Sequence, residues 1–277
     1  MTSMGTATST RYRIGFIGAG KLAGSVIRGL MHAGFCSPTE IIASEPNETV
    51  RTGLQKETGI LLAAENAEVA EQAETILIGV KPGVVLPALR EIAPLVDNKL
   101  VISLAAGVRI SNMEKIANAR FMHAMTNTPS AICRASTALA RGTGTTNEDV
   151  DLARKIFSAI GVVVEVDEKQ IDAVTALAGS GPAFVYTVIE ALAEGGKKMG
   201  LAPDAALTLA TQTVLGAAQL ASESKLSPEE LRKMVVAPGG TTAAGLAAME
   251  KLKTSKTLIA AIEAATKRGQ EMAKENL

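Results

Sequence analysis

The chain has 277 residues, nearly half of them hydrophobic, and its 28 Lys and Arg balance 28 Asp and Glu for a formal net charge of zero. That balance leaves no electrostatic footprint for nucleic acid or an anionic membrane, and a chain with no Trp, two Tyr and five Phe lacks the platforms on which bases stack. Its two cysteines, Cys36 and Cys133, stand apart in apolar stretches without Cys or His neighbours, which argues against a disulfide framework or a metal site.

Residues 1–10 are polar, lack Arg and lack the charged-then-apolar order of a secretory signal, so they read as a disordered tail. No apolar run is expected to reach the roughly 20 residues of a membrane span, and a cytoplasmic protein is expected. From 11 to 167, short β-branched or apolar runs at 13–18, 40–44, 60–64, 75–80, 100–105, 120–125, 136–141 and 162–166 alternate with longer helical patterns. That alternation predicts an α/β domain, a Rossmann-type doubly wound and mostly parallel sheet. Past Val166 the composition turns to Ala, Leu, Glu and Lys, with Pro182, Pro203 and Pro228 placed as first-turn prolines. Residues 168–277 therefore read as an all-helical domain. Its apolar positions, such as Ile189, Leu192, Leu207, Leu209 and Val214, offer faces that a second copy could cover.

The first strand runs directly into Gly18-Ala19-Gly20-Lys21-Leu22-Ala23, a G-x-G-x-x-A turn that opens a helical pattern. Gly18 permits the tight turn, Gly20 lets a pyrophosphate approach the backbone, and Ala23 keeps the helix close. The helix N-terminus then holds the anion. After the second strand the signals conflict: Glu45 would accept from the ribose hydroxyls of NADH, whereas Ser44, Asn47 and Arg51 would surround the 2′-phosphate of NADPH. NADPH is the expected cofactor, with NADH possible. Two later strand ends, Val80-Lys81-Pro82-Gly83 and Ala105-Ala106-Gly107, carry small residues that leave room for a nicotinamide ring.

The other pointed segment is Ala237-Pro238-Gly239-Gly240-Thr241-Thr242. A Gly-Gly turn entering a helix presents free N–H groups able to hold a carboxylate without Arg or Lys, although a plain helix connection with a Thr cap has the same appearance. Taken together, Gly-Phe-Ile-Gly-Ala-Gly-Lys at 15–21, Gly-Val-Lys-Pro at 79–82, Ser-Leu-Ala-Ala-Gly-Val at 103–108, Met-Thr-Asn-Thr-Pro at 125–129, Gly-Ser-Gly-Pro-Ala at 179–183 and Pro-Gly-Gly-Thr-Thr at 238–242 resemble the pyrroline-5-carboxylate reductase family along nearly the whole chain.

The resemblance implies NAD(P)H-dependent reduction of L-1-pyrroline-5-carboxylate to L-proline by a homodimer joined through the helical domain and often assembled further. It also implies that Asn66 serves the adenosine side, that Val80, Lys81, Pro82, Ala105, Asn127 and Thr128 surround ribose and nicotinamide, and that Gly239, Gly240, Thr241 and Thr242 hold substrate. Ala237 departs from the family's usual Ser and removes a hydroxyl worth about 1–2 kcal/mol. A cyclic imine arrives already protonated, so no strong acid is needed; His32 and His123 read as structural, and Thr242 as the residue that orients the imine nitrogen. Two other readings stand beside this one: a hydroxy-acid dehydrogenase-like enzyme, disfavoured because 179–194 lacks the Lys and Asn pair, and a non-catalytic NAD(P) sensor.

Overall fold

The computed structural model describes residues 12–276, so the tail read at 1–10 lies outside the described residues. In chain order the α/β part comprises β1 (Tyr12–Ile17), α1 (Lys21–His32), β2 (Ile41–Ser44), α2 (Glu48–Thr58), β3 (Leu61–Ala63), α3 (Asn66–Gln72), β4 (Ala73–Ile78), α4 (Pro82–Ile92), β5 (Leu100–Ser103), α5 (Ile110–Glu114), β6 (Arg120–Met125), β7 (Ala135–Arg141), α6 (Asn147–Ser158) and β8 (Gly161–Glu165). All eight strand runs read from the sequence are strands, with ends displaced by a residue or two. Sheet order is β3-β2-β1-β4-β5-β6-β7-β8.

Every pairing is parallel except β6 with β7, where the connection is too short for a crossover helix and the chain doubles back. Successive residues of one strand feed opposite layers. Ile14, Phe16, Leu77 and Ile102 join one core with Ile27, Leu30 and Phe157 of α1 and α6. Ile17, Ile76, Ile78 and Val101 join the other with Val85 and Leu89 of α4. A sheet covered on both faces explains why its strands read as continuous apolar runs. The two edge strands are the exceptions, with Leu61 of β3 and Val162 and Val164 of β8 exposed.

His123 lies in the middle of this sheet, 1% exposed. Burial pushes its imidazole down to about 4, so the folded protein holds it neutral. Its pKa is depressed relative to the unfolded chain, so stability is full above pH 6.5 and falls as pH drops from there toward 4, by on the order of 3 kcal/mol. Denaturant unfolding of wild type and His123→Leu at pH 7.5 and 4.5 checks this. Wild type is expected to lose more stability on acidification than the variant, and equal losses would contradict the assignment.

By compactness the described residues divide into 12–180 with 264–276, and 181–263. The first unit thus runs past the composition change at 168, for a physical reason. Helix α7 (Ile171–Val174) buries Ile171 against Met125 and Ala140, and its Asp172, 2% exposed, pairs with Arg109. The next residues, Thr175–Gly179, form a π-helical turn whose Ala178 carbonyl accepts a hydrogen bond from Asn127 Nδ2 at 3.1 Å. Such turns free backbone groups that an α-helix would consume.

The second unit contains α8 (Gly181–Lys198), α9 (Pro203–Glu223), α10 (Pro228–Met234), α11 (Thr241–Lys251) and the start of α12 (Thr254–Glu275). Helices α8 and α9 pack through small residues, Ala193, Ala206 and Ala210 beside Ile189. Leu192 of α8 and Leu207, Leu209, Leu215 and Leu220 of α9 are exposed, so large apolar side chains of both helices face outward from this unit. The helical stretch Glu168–Lys198 is long and apolar enough, by length and composition alone, to cross a membrane. This corrects the expectation that no run is; Ala, Gly and Thr spacing hid its length from a residue-by-residue reading.

Candidate active site

The strand order reverses between β1 and β4, and the crevice at their carboxyl ends is where open α/β sheets take ligands. Gly18 ends β1 with φ +84°, a left-handed conformation open to glycine, and its N–H donates to the Ser44 carbonyl at 3.0 Å. A Cβ there would lie 2.6 Å from Val80 Cγ1, so Val80 sits directly on the turn. Gly20 is the N-cap of α1 without a side-chain cap, and nothing lies within 4 Å of where its Cβ would be. The first-turn N–H groups at Lys21 and Leu22 have no partner within the helix, as an anion site requires. Ala23 is buried beside Gly79, where a Cβ would come within 2.6 Å, so its small size is set by the loop after β4.

At the β2 end, Ser44 is buried and its hydroxyl donates to Asn66 Oδ1 at 2.6 Å, while Asn66 Nδ2 donates to Glu91 at 2.8 Å. Asn47 caps α2, its Oδ1 accepting from Val50 N at 3.0 Å. Arg51 Nη1 donates to the Glu45 carbonyl at 3.0 Å. Glu45 itself turns inward: its carboxylate accepts from Ala19 N at 3.2 Å and from Asn47 N at 3.0 Å. A groove of about 600 Å³ runs past it, lined by Gly20, Lys21, Arg28, Thr49 and Thr128 among others.

Lys81 is exposed and caps α4, with Pro82 in that helix's first turn. Ala105 is buried just past β5. The room expected at Gly107 is already filled, because α12 returns to the first unit and a Cβ at Gly107 would meet Met272 Cβ at 2.8 Å. Asn276 Nδ2 then donates to the Gly107 carbonyl at 3.2 Å. Asn127, 7% exposed, has both ends of its carboxamide engaged, Oδ1 accepting from Ser136 N at 3.1 Å and Nδ2 reaching Ala178. It fixes the start of the Thr128–Ile132 turn against the π segment, a tie that only its place before Thr-Pro hinted at.

Gly239, Gly240, Thr241 and Thr242 lie together in the second unit. Gly239 has φ +70°, and Gly240 is the N-cap of α11 without a side-chain cap. The cap is glycine and not threonine, so the Thr242 hydroxyl in the first turn is not consumed by capping, and the N–H groups of that turn stay open. His32 ends α1 at the surface. Among the described residues no cluster of His, Cys, Asp or Glu is arranged to hold a metal.

The glycine turn, the open helix N-terminus and their position at the switch of strand order fit a dinucleotide, and they define a Rossmann-type oxidoreductase. The model for pyrroline-5-carboxylate reductase dimerisation matches residues 168–272, and that for the coenzyme F420-dependent NADP oxidoreductase domain matches 13–107. The pyrroline-5-carboxylate reductase of Arabidopsis thaliana is 39% identical over 263 residues, covering 94% of this chain and 95% of the relative. The crystal structure of the Coxiella burnetii enzyme of that name aligns with TM-score 0.86 at 33% identity, over 95% of this chain and 99% of that one. That of Plasmodium falciparum pyrroline carboxylate reductase, with NADP bound, aligns with TM-score 0.87 at 28% identity over 96% and 99%. The chain belongs to the pyrroline-5-carboxylate reductase family.

Proposed function

We propose that this protein reduces L-1-pyrroline-5-carboxylate to L-proline with NADPH, NADH being the alternative donor. The observation that carries the reading is the coexistence of a dinucleotide cradle at Gly18 to Leu22 with an uncapped Gly239 to Thr242 turn, in a chain aligned end to end with reductases of that name. When bound, the reduced nicotinamide supplies the hydride for the imine carbon. The protein's own groups do the rest. Gly20, Lys21 and Leu22 hold the pyrophosphate on the α1 N-terminus, with Gly18 and Ala19 shaping the turn beneath it through their bonds to Ser44 and Glu45. Ser44, Asn47, Arg51 and Asn66 border the adenosine ribose, and Val80, Lys81, Pro82, Ala105 and Thr128 border the nicotinamide end, with Asn127 positioning Thr128.

Backbone N–H groups at Gly239 and Thr241 hold the substrate carboxylate, Gly240 shapes the turn with its own N–H on the Ala237 carbonyl at 3.0 Å, and the Thr242 hydroxyl orients the ring nitrogen, which already carries its proton. Hydride on carbon and the retained proton on nitrogen give the saturated amine. With His123 neutral and buried and His32 at a surface helix end, no histidine is assigned as acid. Thr242→Ala is expected to lower kcat by about tenfold or more with dinucleotide affinity unchanged, the size of loss seen when one orienting contact goes. Stopped-flow turnover with calorimetric binding checks it, and an unchanged kcat would remove Thr242 from that role.

A homodimer through the helical unit is part of the same proposal, supported by the matched dimerisation model and by the exposed leucines of α8 and α9, including the apolar stretch at 168–198. Assembly beyond a dimer is also proposed. A reducing, cytoplasmic setting suits two cysteines that are both free, Cys36 being buried. No nucleic-acid or membrane partner is proposed.

A further inference from the structure

Resting on the reading of a dinucleotide-dependent imine reductase, we infer that Asn276 is a positioning residue. From the end of α12 its carboxamide holds the Gly107 carbonyl, and with it the loop after β5 that borders the nicotinamide. This loop, 104–109, leaves the sheet at Ser103 and enters α5 at Ile110. Both of its ends are anchored. Leu104 N donates to the Ile78 carbonyl at 2.9 Å and Ala105 N to Ser103 Oγ at 3.3 Å, while at the far end Arg109 pairs with Asp172 and Ile110 N donates to Glu168. Between the anchors stands Gly107, in a turn with φ +66°.

What lies against that turn is α12. Gly269, Met272, Ala273 and Asn276 follow one another at helical spacing and share a face. Gly269 and Ala273 are buried, and a Cβ on Gly269 would come within 3.4 Å of Asp172. A Cβ on Gly107 would lie 2.8 Å from Met272 Cβ and 3.4 Å from Ala273 N, so helix and loop touch with no room for a side chain between them. Asn276 Nδ2 then divides between the Gly107 carbonyl at 3.2 Å and the Met272 carbonyl at 2.8 Å. Its Oδ1 lies 3.8 Å from the place a Cβ would take on Gly83, in the first turn of α4 two residues after Lys81. One side chain thus stands beside both loops that border the nicotinamide end, those carrying Lys81 and Ala105. A helix docked through Gly269 and Ala273 does not need that carboxamide to hold its place, whereas the Gly107 carbonyl takes a bond from it. Hydride transfer tolerates little looseness, because a misplacement of about 1 Å can cost about a hundredfold in rate.

Two measurements on wild type, Asn276→Ala and Asn276→Gln test this role: hydrogen exchange of the protein without dinucleotide, and single-turnover hydride transfer from NADPH to L-1-pyrroline-5-carboxylate. Asn276→Ala is expected to speed exchange across 104–110 and to slow hydride transfer at saturating reactants, each by at least about tenfold, with exchange in β2 unchanged. Asn276→Gln keeps the amide donor and is expected to restore both, since no other atom lies within 4 Å of the Gly83 Cβ position and the longer side chain has room. Wild-type exchange at 104–110 in Asn276→Ala, a rise spread over the whole sheet, a smaller loss of hydride transfer, or a glutamine that restores neither would overturn the role. A wild type without imine-dependent hydride transfer overturns the reductase reading and this role together, so the two failures are distinguishable.

Discussion

Gly20→Val is expected to leave the protein folded and to weaken binding of both NADP+ and NAD+ by at least about a hundredfold, or about 2.7 kcal/mol. The reasoning rests on where the new atoms would go. Gly20 has φ −65°, which any residue adopts, and no atom lies within 4 Å of its Cβ position. The isopropyl group therefore meets no protein, and placing Val at the helix N-cap costs on the order of 1 kcal/mol or less. What it does meet is the volume that a pyrophosphate needs against the first-turn N–H groups. Gly18 makes the contrast: its φ of +84° and the 2.6 Å approach of Val80 mean that a substitution there disturbs the turn itself. Titration calorimetry paired with thermal unfolding separates the two effects, and unchanged affinity in a folded Gly20→Val protein would place the pyrophosphate elsewhere.

Gly29→Ala acts on the fold. An added Cβ would fall 2.1 Å from the Ser130 carbonyl oxygen and 2.9 Å from Ile160 Cγ2. Neither neighbour yields cheaply. Ser130 O also accepts from Cys133 N at 3.0 Å within the turn, and Ile160 is fully buried in the core that includes Ile27 and Leu30 of α1. Either α1 or the Thr128–Ile132 turn has to move, which costs about 3 kcal/mol or more. The denaturation midpoint is expected to drop accordingly. Because the same turn carries Thr128, dinucleotide affinity should fall with it. A midpoint within experimental error of wild type would show that the α1 contact is looser than these distances require.

The eight strands were legible because a sheet buried on both faces leaves runs such as Ile-Ile-Ala-Ser at 41–44 and Leu-Val-Ile-Ser at 100–103, each entirely buried. The glycine turn was legible because its chemistry is local: Gly18, Gly20 and Ala23 each answer to a neighbour within one strand-turn-helix unit or the loop beside it. What escaped was long-range. Nothing near Gly107 in sequence says that Met272 will occupy the space beside it, and nothing near Asn127 says that Ala178 will use its carboxamide. The Glu45 orientation was similarly hidden, since an acidic residue before Pro reads alike whether it faces water or two N–H groups. The end of the first unit shifted for the same reason. Composition changes at 168, but Ile171 has partners on the sheet, and Asp172 one at the start of α5, Arg109, that only folding reveals.

The most direct test of the proposed reaction is loss of nicotinamide absorbance when the purified protein meets L-1-pyrroline-5-carboxylate with NADPH and, in parallel, with NADH, with proline quantified at the end. The expected result is oxidation that depends on the imine, with one proline formed per dinucleotide consumed. No imine-dependent oxidation with either donor, in a preparation shown by calorimetry to bind dinucleotide, would contradict the reaction assigned to this protein.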